Sequence, residues 1–212
     1  MDNIPMGRFV VLDFETTGLS PVLGARVIEV SAREIIDGRA GQEVSTLIDP
    51  GVRVPREVTQ ITGITTAMLS GAPKSSVVMR ELAGFIGASP VVAHNAGFDR
   101  KFLEHEAQEF LDGRQVRTLC TLLLARRVFP GRASYRLGDI VREVGINVPG
   151  LLHRASADTW VTTHLFARIC ADARSRCAQH FDHDVLHRLQ SVRIAAAFEW
   201  LQTLAPPAGA AA

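Results

Sequence analysis

The sequence predicts an α/β protein built on a mixed five-stranded sheet flanked by helices. Three patterns point there: a β-branched apolar run over residues 8–14, two more strand-like segments hinged on Asp37-Gly38, and alternating helical and strand periodicity from residue 75 onward. In RFVVLDF (8–14) the apolar run reaches Leu12 and ends at acidic Asp13, as expected of a buried strand with chemistry at its carboxyl end. Residues 27–36 and 43–48 read as the next two strands, and the Asp-Gly pair between them predicts an antiparallel hairpin. Residues 50–73, rich in Pro, Gly and Thr, predict a functional loop with one helical turn at 55–60. Helical spacing over 75–86, a short buried strand at 90–93 and helical spacing over 98–110 follow. Residues 115–117 read as the fifth strand, and only helices come after it, at 119–128, 135–144, 155–173 and 180–204. The expected organisation is one domain over 1–175, a helical extension over 176–204 packed on it or at an interface, and a disordered tail over 205–212.

The chain has 212 residues, 47% of them hydrophobic, enough for one domain with a sizeable core. Cys120, Cys170 and Cys177 show neither paired spacing nor an even count, which argues against a disulfide framework or a zinc ribbon. No apolar run approaches the roughly 18 residues of a membrane span and no signal-like core is present, so a cytoplasmic protein without a membrane partner is expected. A net charge of +1 gives no global case for coating nucleic acid. Eight arginines between residues 114 and 154, against Asp139 and Glu143, predict either a phosphate-attracting face or an ordinary Arg-rich surface.

Three short stretches carry the chemistry. Asp13 and Glu15 lie two apart on a strand and leave the same face; two such acids repel unless a cation compensates, and hard oxygen donors suit Mg²⁺ or Mn²⁺ better than zinc. Thr16, Thr17 and Gly18 follow, offering backbone N–H groups and little bulk where a phosphate or sugar could dock. In His94-Asn95-Ala96-Gly97-Phe98-Asp99, Asp99 falls where a strand turns into a helix, a place where ligands collect in open α/β sheets. In His153-Arg154-Ala155-Ser156-Ala157-Asp158 the histidine precedes a helix and the aspartate sits in its first turns, so the two can converge although a continuous helix would separate them by about 140°. Taken singly, each stretch has an ordinary structural explanation: a solvated strand end, a helix cap, a packed histidine. Together they supply four carboxylates and a histidine at element ends, the inventory of a two-metal phosphodiesterase with His153 as general base.

VLDFETTGL, VAHNAGFD and HRASAD resemble the three motifs of the DEDDh exonucleases, DnaQ-like branch, to which the exonuclease domain of DNA polymerase III epsilon subunits belongs. The resemblance spans about residues 8–171. It implies an RNase H-like fold, 3′→5′ hydrolysis of DNA releasing nucleoside 5′-monophosphates, and two divalent ions, Mg²⁺ or Mn²⁺, held by Asp13, Glu15, Asp99 and Asp158. It also places Thr16 and Thr17 at the terminal sugar, beside substrate-binding Gly18, Leu19 as a wedge near the last bases, and Glu57, Ile61, His94 and Phe98 around the nucleotide. Thr62 stands where the pattern often has histidine, which puts one pocket contact in doubt. Partners implied are single-stranded DNA or frayed 3′ ends, with RNA trimming as the alternative activity. A polymerase-associated binding role, or a homodimer, through the apolar stripe of the C-terminal helix is the further alternative. His180, His183 and His187 are weaker metal candidates, read mainly as a solvated helix surface.

Overall fold

The computed structural model describes residues 4–5, 7–147, 153–177 and 181–204. Five strands form one sheet in the order β3-β2-β1-β4-β5: β1 (Arg8–Thr16), β2 (Val27–Ile36), β3 (Arg39–Leu47), β4 (Val91–Ala93) and β5 (Thr118–Cys120). Central β1 runs antiparallel to β2 and parallel to β4, so its carboxyl end and that of β4 open on the same rim of the sheet. The β2–β3 hairpin turns at Asp37 and Gly38, both with positive φ (49° and 75°), the geometry that favours Asp-Gly in such two-residue turns.

The period-two alternation of β1 divides the core. Val10, Leu12 and Phe14 pack against α2 (Ser75–Ile86) and α3 (Gly97–Glu106) on one face. Phe9 and Val11 pack on the other beneath α4 (Thr121–Val128), α5 (Leu137–Glu143) and α6 (Ala155–Arg174), with the Phe9 and Phe166 rings 5.6 Å apart. Asp13 and Glu15 continue the Phe9–Val11 side, so the row that is apolar under the body of α6 becomes acidic where α6 begins.

Several elements differ from the expectations. The fifth strand lies at Thr118–Cys120 rather than 115–117, because Leu119 and Cys120 supply the buried residues that pair beside Val92 and Ala93, while Gln115 and Arg117 are exposed. The region 50–73 contains α1 (Arg56–Thr62) and a 3₁₀ turn at Thr66–Leu69. The helix expected over 98–110 stops at Glu106, and the one expected from 135 begins at Leu137, after Ser134 has bonded Asp139.

The single helix expected over 180–204 is two, α7 (His183–Leu189) and α8 (Ala197–Gln202), joined through a 3₁₀ turn at Ile194–Ala196. Tertiary hydrogen bonds impose the break. The Gln190 side chain accepts from Cys120 N–H and donates to Thr118 O at the outer edge of β5, and Arg127 Nε donates to Val192 O. Leu186, Leu189, Ala197 and Leu201 are fully buried in the same core as α6. The expected tail, residues 205–212, and His180 lie outside the described residues.

Candidate active site

The β1 ladder ends at a register shift between Glu15 and Thr16, which leaves Asp13 and Glu15 at the sheet rim opposite Ser31 and Glu29 of β2. Asp99, in the first turn of α3 and 3% exposed, accepts a hydrogen bond from the Phe14 backbone N–H at 3.2 Å, which holds its carboxylate near Asp13. Asp158, in the first turn of α6, accepts the His153 backbone N–H on Oδ2 at 3.1 Å, while its buried Oδ1 has no partner among the described residues. Donor atoms of Glu15, His153 and Asp158 all lie within 4.8 Å of one another.

The carboxylates repel and are dehydrated, and their acidities show it. Burial, then Asp99, Asp158, Glu15 and Glu29, holds Asp13 well above the usual aspartate range. Burial, then Asp158, Glu29 and Asp99, pushes Glu15 up to about 8 against the pull of Arg154. Asp99 is raised to about 7 by burial, opposed by its backbone hydrogen bonds and Lys101; Asp158 is raised by burial, opposed by His153. Oxygen donors in this state, with one buried carboxylate oxygen unpartnered, fit a divalent cation that restores the ionised forms.

Glu29, which no motif marks, and Arg154, to which the third motif gave no role, organise the histidine's backbone. Glu29, with its side chain 4% exposed, accepts from Arg154 Nε and Nη2 (2.7 Å for the shortest contact) and from Ala155 N–H at 3.0 Å. All four contacts bracket the start of α6, immediately after His153, whose φ of 70° is left-handed and costs about 1 kcal/mol or more. The fork of Arg154 on Glu29 and the His153–Asp158 hydrogen bond together hold that conformation. The only sequence signal was an acid pointing inward from the strand VIEV.

The remaining candidates are placed unevenly. His94 contacts Thr121 Oγ1 through Nδ1 and Tyr135 O through Nε2, both at 2.9 Å. A carbonyl only accepts, so Nε2 carries the proton. Burial lowers the His94 pKa to about 4, so the ring is neutral and offers the cleft a face rather than a free nitrogen. Thr16 donates its hydroxyl to Gly18 O, and Thr17 bonds Arg26 through both its hydroxyl and its N–H, so the Thr17 amide expected to face a ligand is engaged inside the loop. That loop displays Leu19 at 81% exposure. Phe98 packs on Phe102, with Lys101 over its ring. Glu57 and Ile61 stand exposed on α1. The Thr62 hydroxyl donates to Val58 O and accepts from Ile64 N–H, closing the end of α1. His183 and His187 lie beside Pro90 and Leu119, away from the acids.

A cleft of about 710 Å³ opens from His153 and Asp158 along His94, Leu122, Tyr135 and Leu137. Of the eight arginines from 114 to 154, only Arg126 and Arg136 line it. Arg114 and Arg127 donate to backbone carbonyls elsewhere, and Arg117, Arg132, Arg142 and Arg154 pair with Asp184, Glu143, Asp139 and Glu29.

A family model described as "Exonuclease" matches residues 10–166, a span that contains the whole acid cluster. The chain belongs to the exonuclease family. This exonuclease is 38% identical over 170 residues to a DNA polymerase III subunit epsilon of Aquifex aeolicus, covering 79% of the chain and 83% of that relative. It is 33% identical over 195 residues to the 3′-5′ exonuclease DinG of Bacillus subtilis, covering 86% of this chain and 21% of that one, and it spans 12% of the PolC-type DNA polymerase III of Thermotoga petrophila at 40% identity. Among solved structures, exonuclease X in complex with 5′ overhanging duplex DNA superposes with a TM-score of 0.63 at 30% identity, over 77% of this chain and 91% of that one. Escherichia coli exonuclease I with a dT13 oligonucleotide gives 0.69 at 16% identity, over 80% and 42%, a likeness of fold. The mixed sheet and its helices are the RNase H-like fold.

Proposed function

We propose that this exonuclease removes nucleotides from the 3′ end of DNA, releasing nucleoside 5′-monophosphates, with two Mg²⁺ or Mn²⁺ ions. The observation that carries the reading is the convergence of Glu15, His153 and Asp158 within 4.8 Å, beside Asp13 and Asp99, at the rim where β1 ends and α6 begins. When bound, the divalent ions polarise the scissile phosphate and stabilise charge on the attacking and leaving oxygens. Asp13, Glu15, Asp99 and Asp158 would hold them, and the buried Asp158 Oδ1, which has no partner among the described residues, suits such a role. His153, exposed at the cleft mouth, accepts the proton of the attacking water on a ring nitrogen. Glu29 and Arg154 act as positioning residues, fixing the backbone on the carboxyl side of that histidine. Leu19 and Phe98 flank the terminal nucleotide from the β1 and α3 sides, with the Thr16–Gly18 turn supporting Leu19 and with Glu57 and Ile61 on the α1 side.

DNA is favoured over RNA by the relatives, whose names describe polymerase subunits and a DNA complex. Digestion of matched 3′-labelled DNA and RNA oligonucleotides tests both points: cleavage of DNA that stops in EDTA and in Asp13→Ala is expected, whereas faster loss of RNA, or cleavage persisting in EDTA, overturns the reading. Association with a polymerase subunit or a second copy is proposed at exposed Ile194 and Phe198. Capture of a polymerase subunit, or a dimer in sedimentation, lost in Ile194→Asp/Phe198→Asp, is the expected result; deleting the whole extension is a poorer test because its leucines are core.

A further inference from the structure

We infer that Arg126 and Arg136 form a backbone-binding subsite for the nucleotides on the 5′ side of the scissile bond, an inference that rests on the exonuclease reading above. The acid cluster carries four carboxylates with Glu29 beside them, so a polyanion that reaches it needs cations close by. The arginine-rich stretch resolves into six side chains held by intramolecular partners and two that line the cleft. Among the described residues neither Arg126 nor Arg136 has a carboxylate partner. Arg126 lies over the Tyr135 ring, 5.7 Å from its centre, which holds the guanidinium above the cleft without neutralising it.

The cleft is amphipathic as a nucleotide strand requires. Leu122, Leu137 and Tyr135 offer apolar surface to sugars and bases, and the two guanidinium groups offer forks to phosphates. Its direction follows from its lining. It begins at His153 and Asp158, shares His94 with the residues read as surrounding the terminal nucleotide, and continues away from Leu19 and Phe98, neither of which lines it. The strand upstream of the cut is therefore what lies in it.

The test compares Arg126→Gln, Arg136→Gln and the double variant with wild type on DNA from dinucleotide to octanucleotide, and on the p-nitrophenyl ester of thymidine 5′-monophosphate, which has no upstream nucleotide. The variants' loss in kcat/KM should be smallest on the ester, grow with the first upstream nucleotides and then level off, carried by KM rather than kcat. On the octanucleotide, log KM against log salt should flatten by about 0.7 per arginine removed, about 1.4 for the double variant. Referred to a reference near 1 M salt, that difference is roughly a tenfold rise in KM near 0.15 M. Arg136→Lys should keep most of the salt slope, since it keeps the charge. An equal loss on the ester and the octanucleotide overturns the placement, and an unchanged salt slope overturns the contact. If wild type cleaves nothing, the exonuclease reading fails by itself; anisotropy of a fluorescent oligonucleotide in Ca²⁺ then still reads the arginine contacts, and equal affinity of wild type and double variant rejects them.

Discussion

Removing divalent metal should make the protein's stability fall as pH rises, the reverse of ordinary acid denaturation. Glu15 moves from an ordinary 4.5 to about 8 on folding, so the folded state prefers its protonated form. Its contribution is complete below pH 4.5 and is lost as pH climbs through about 8. At about 1.4 kcal/mol per pH unit the ceiling is roughly 5 kcal/mol, and the half-buried position of Glu15 reduces this to about 2–3 kcal/mol. About two thirds of that is lost between pH 5.5 and 8.5, roughly 1.5–2 kcal/mol, which for a domain of this size is a Tm lower by roughly 3–8 °C in EDTA at the higher pH. Asp99, raised to about 7, acts in the same direction. His94 acts in the other: its pKa, lowered to about 4, makes stability fall as pH drops below 6.5, by about 1 kcal/mol at pH 5.5. Comparing EDTA with Mg²⁺ or Mn²⁺ at each pH cancels the His94 contribution. Calorimetry should therefore show metal raising Tm strongly at pH 8.5 and weakly at pH 5.5. A metal effect equal at both pH values, or a Tm in EDTA that rises with pH, would refute the assignment of the raised acidities to a cation site.

Glu29→Gln should lower kcat by up to about 100-fold with KM for DNA little changed, because it releases the segment that aims His153 rather than the nucleotide; steady-state kinetics showing KM rising instead, with kcat intact, would remove Glu29 from the positioning role. His153→Ala should cost roughly 10²–10⁴-fold in rate and abolish the rise of rate with pH followed by a plateau that a histidine base produces; a pH profile identical to wild type would transfer the base role elsewhere. Thr62→Ala removes two internal hydrogen bonds and should lower Tm by about 2–4 °C while the rate per folded molecule holds, and a selective loss of nucleotide binding would return Thr62 to the pocket.

Local patterns carried the sheet well where a strand was long and buried. The apolar run of β1 and the Asp-Gly turn after β2 could be read directly, since periodicity and turn chemistry are properties of adjacent residues. Short β5 could not be placed closely, because three residues hold too little periodicity and the choice between Gln115–Arg117 and Thr118–Cys120 is made by pairing with β4. The C-terminal break between α7 and α8 was hidden for a similar reason: helical spacing continues through Val192, while Gln190 and Arg127 impose the turn from the far side of the core. At the candidate site, the motifs that carry the acids and His153 are short enough to be seen in sequence, and the structure brings Glu15, His153 and Asp158 together. Glu29 was not legible there, because its meaning depends on Arg154, and the engaged nitrogens of His94 depend on Thr121 and Tyr135. The arginine stretch looked uniform in sequence and resolved only when each guanidinium could be matched with its partner.

The Glu29–Arg154 contact joins residues 125 positions apart, and this gives the site a folding schedule. The β1–β2 hairpin that displays Asp13 and Glu15 closes over a short loop, so it can form while the rest of the chain is still being made. The Arg154 fork that helps hold the His153 backbone, by contrast, needs α6 docked across that hairpin. Without this contact the His153 segment loses the fork that helps hold its left-handed backbone, while the β1–β2 pairing that displays Asp13 and Glu15 stands on its own hydrogen bonds.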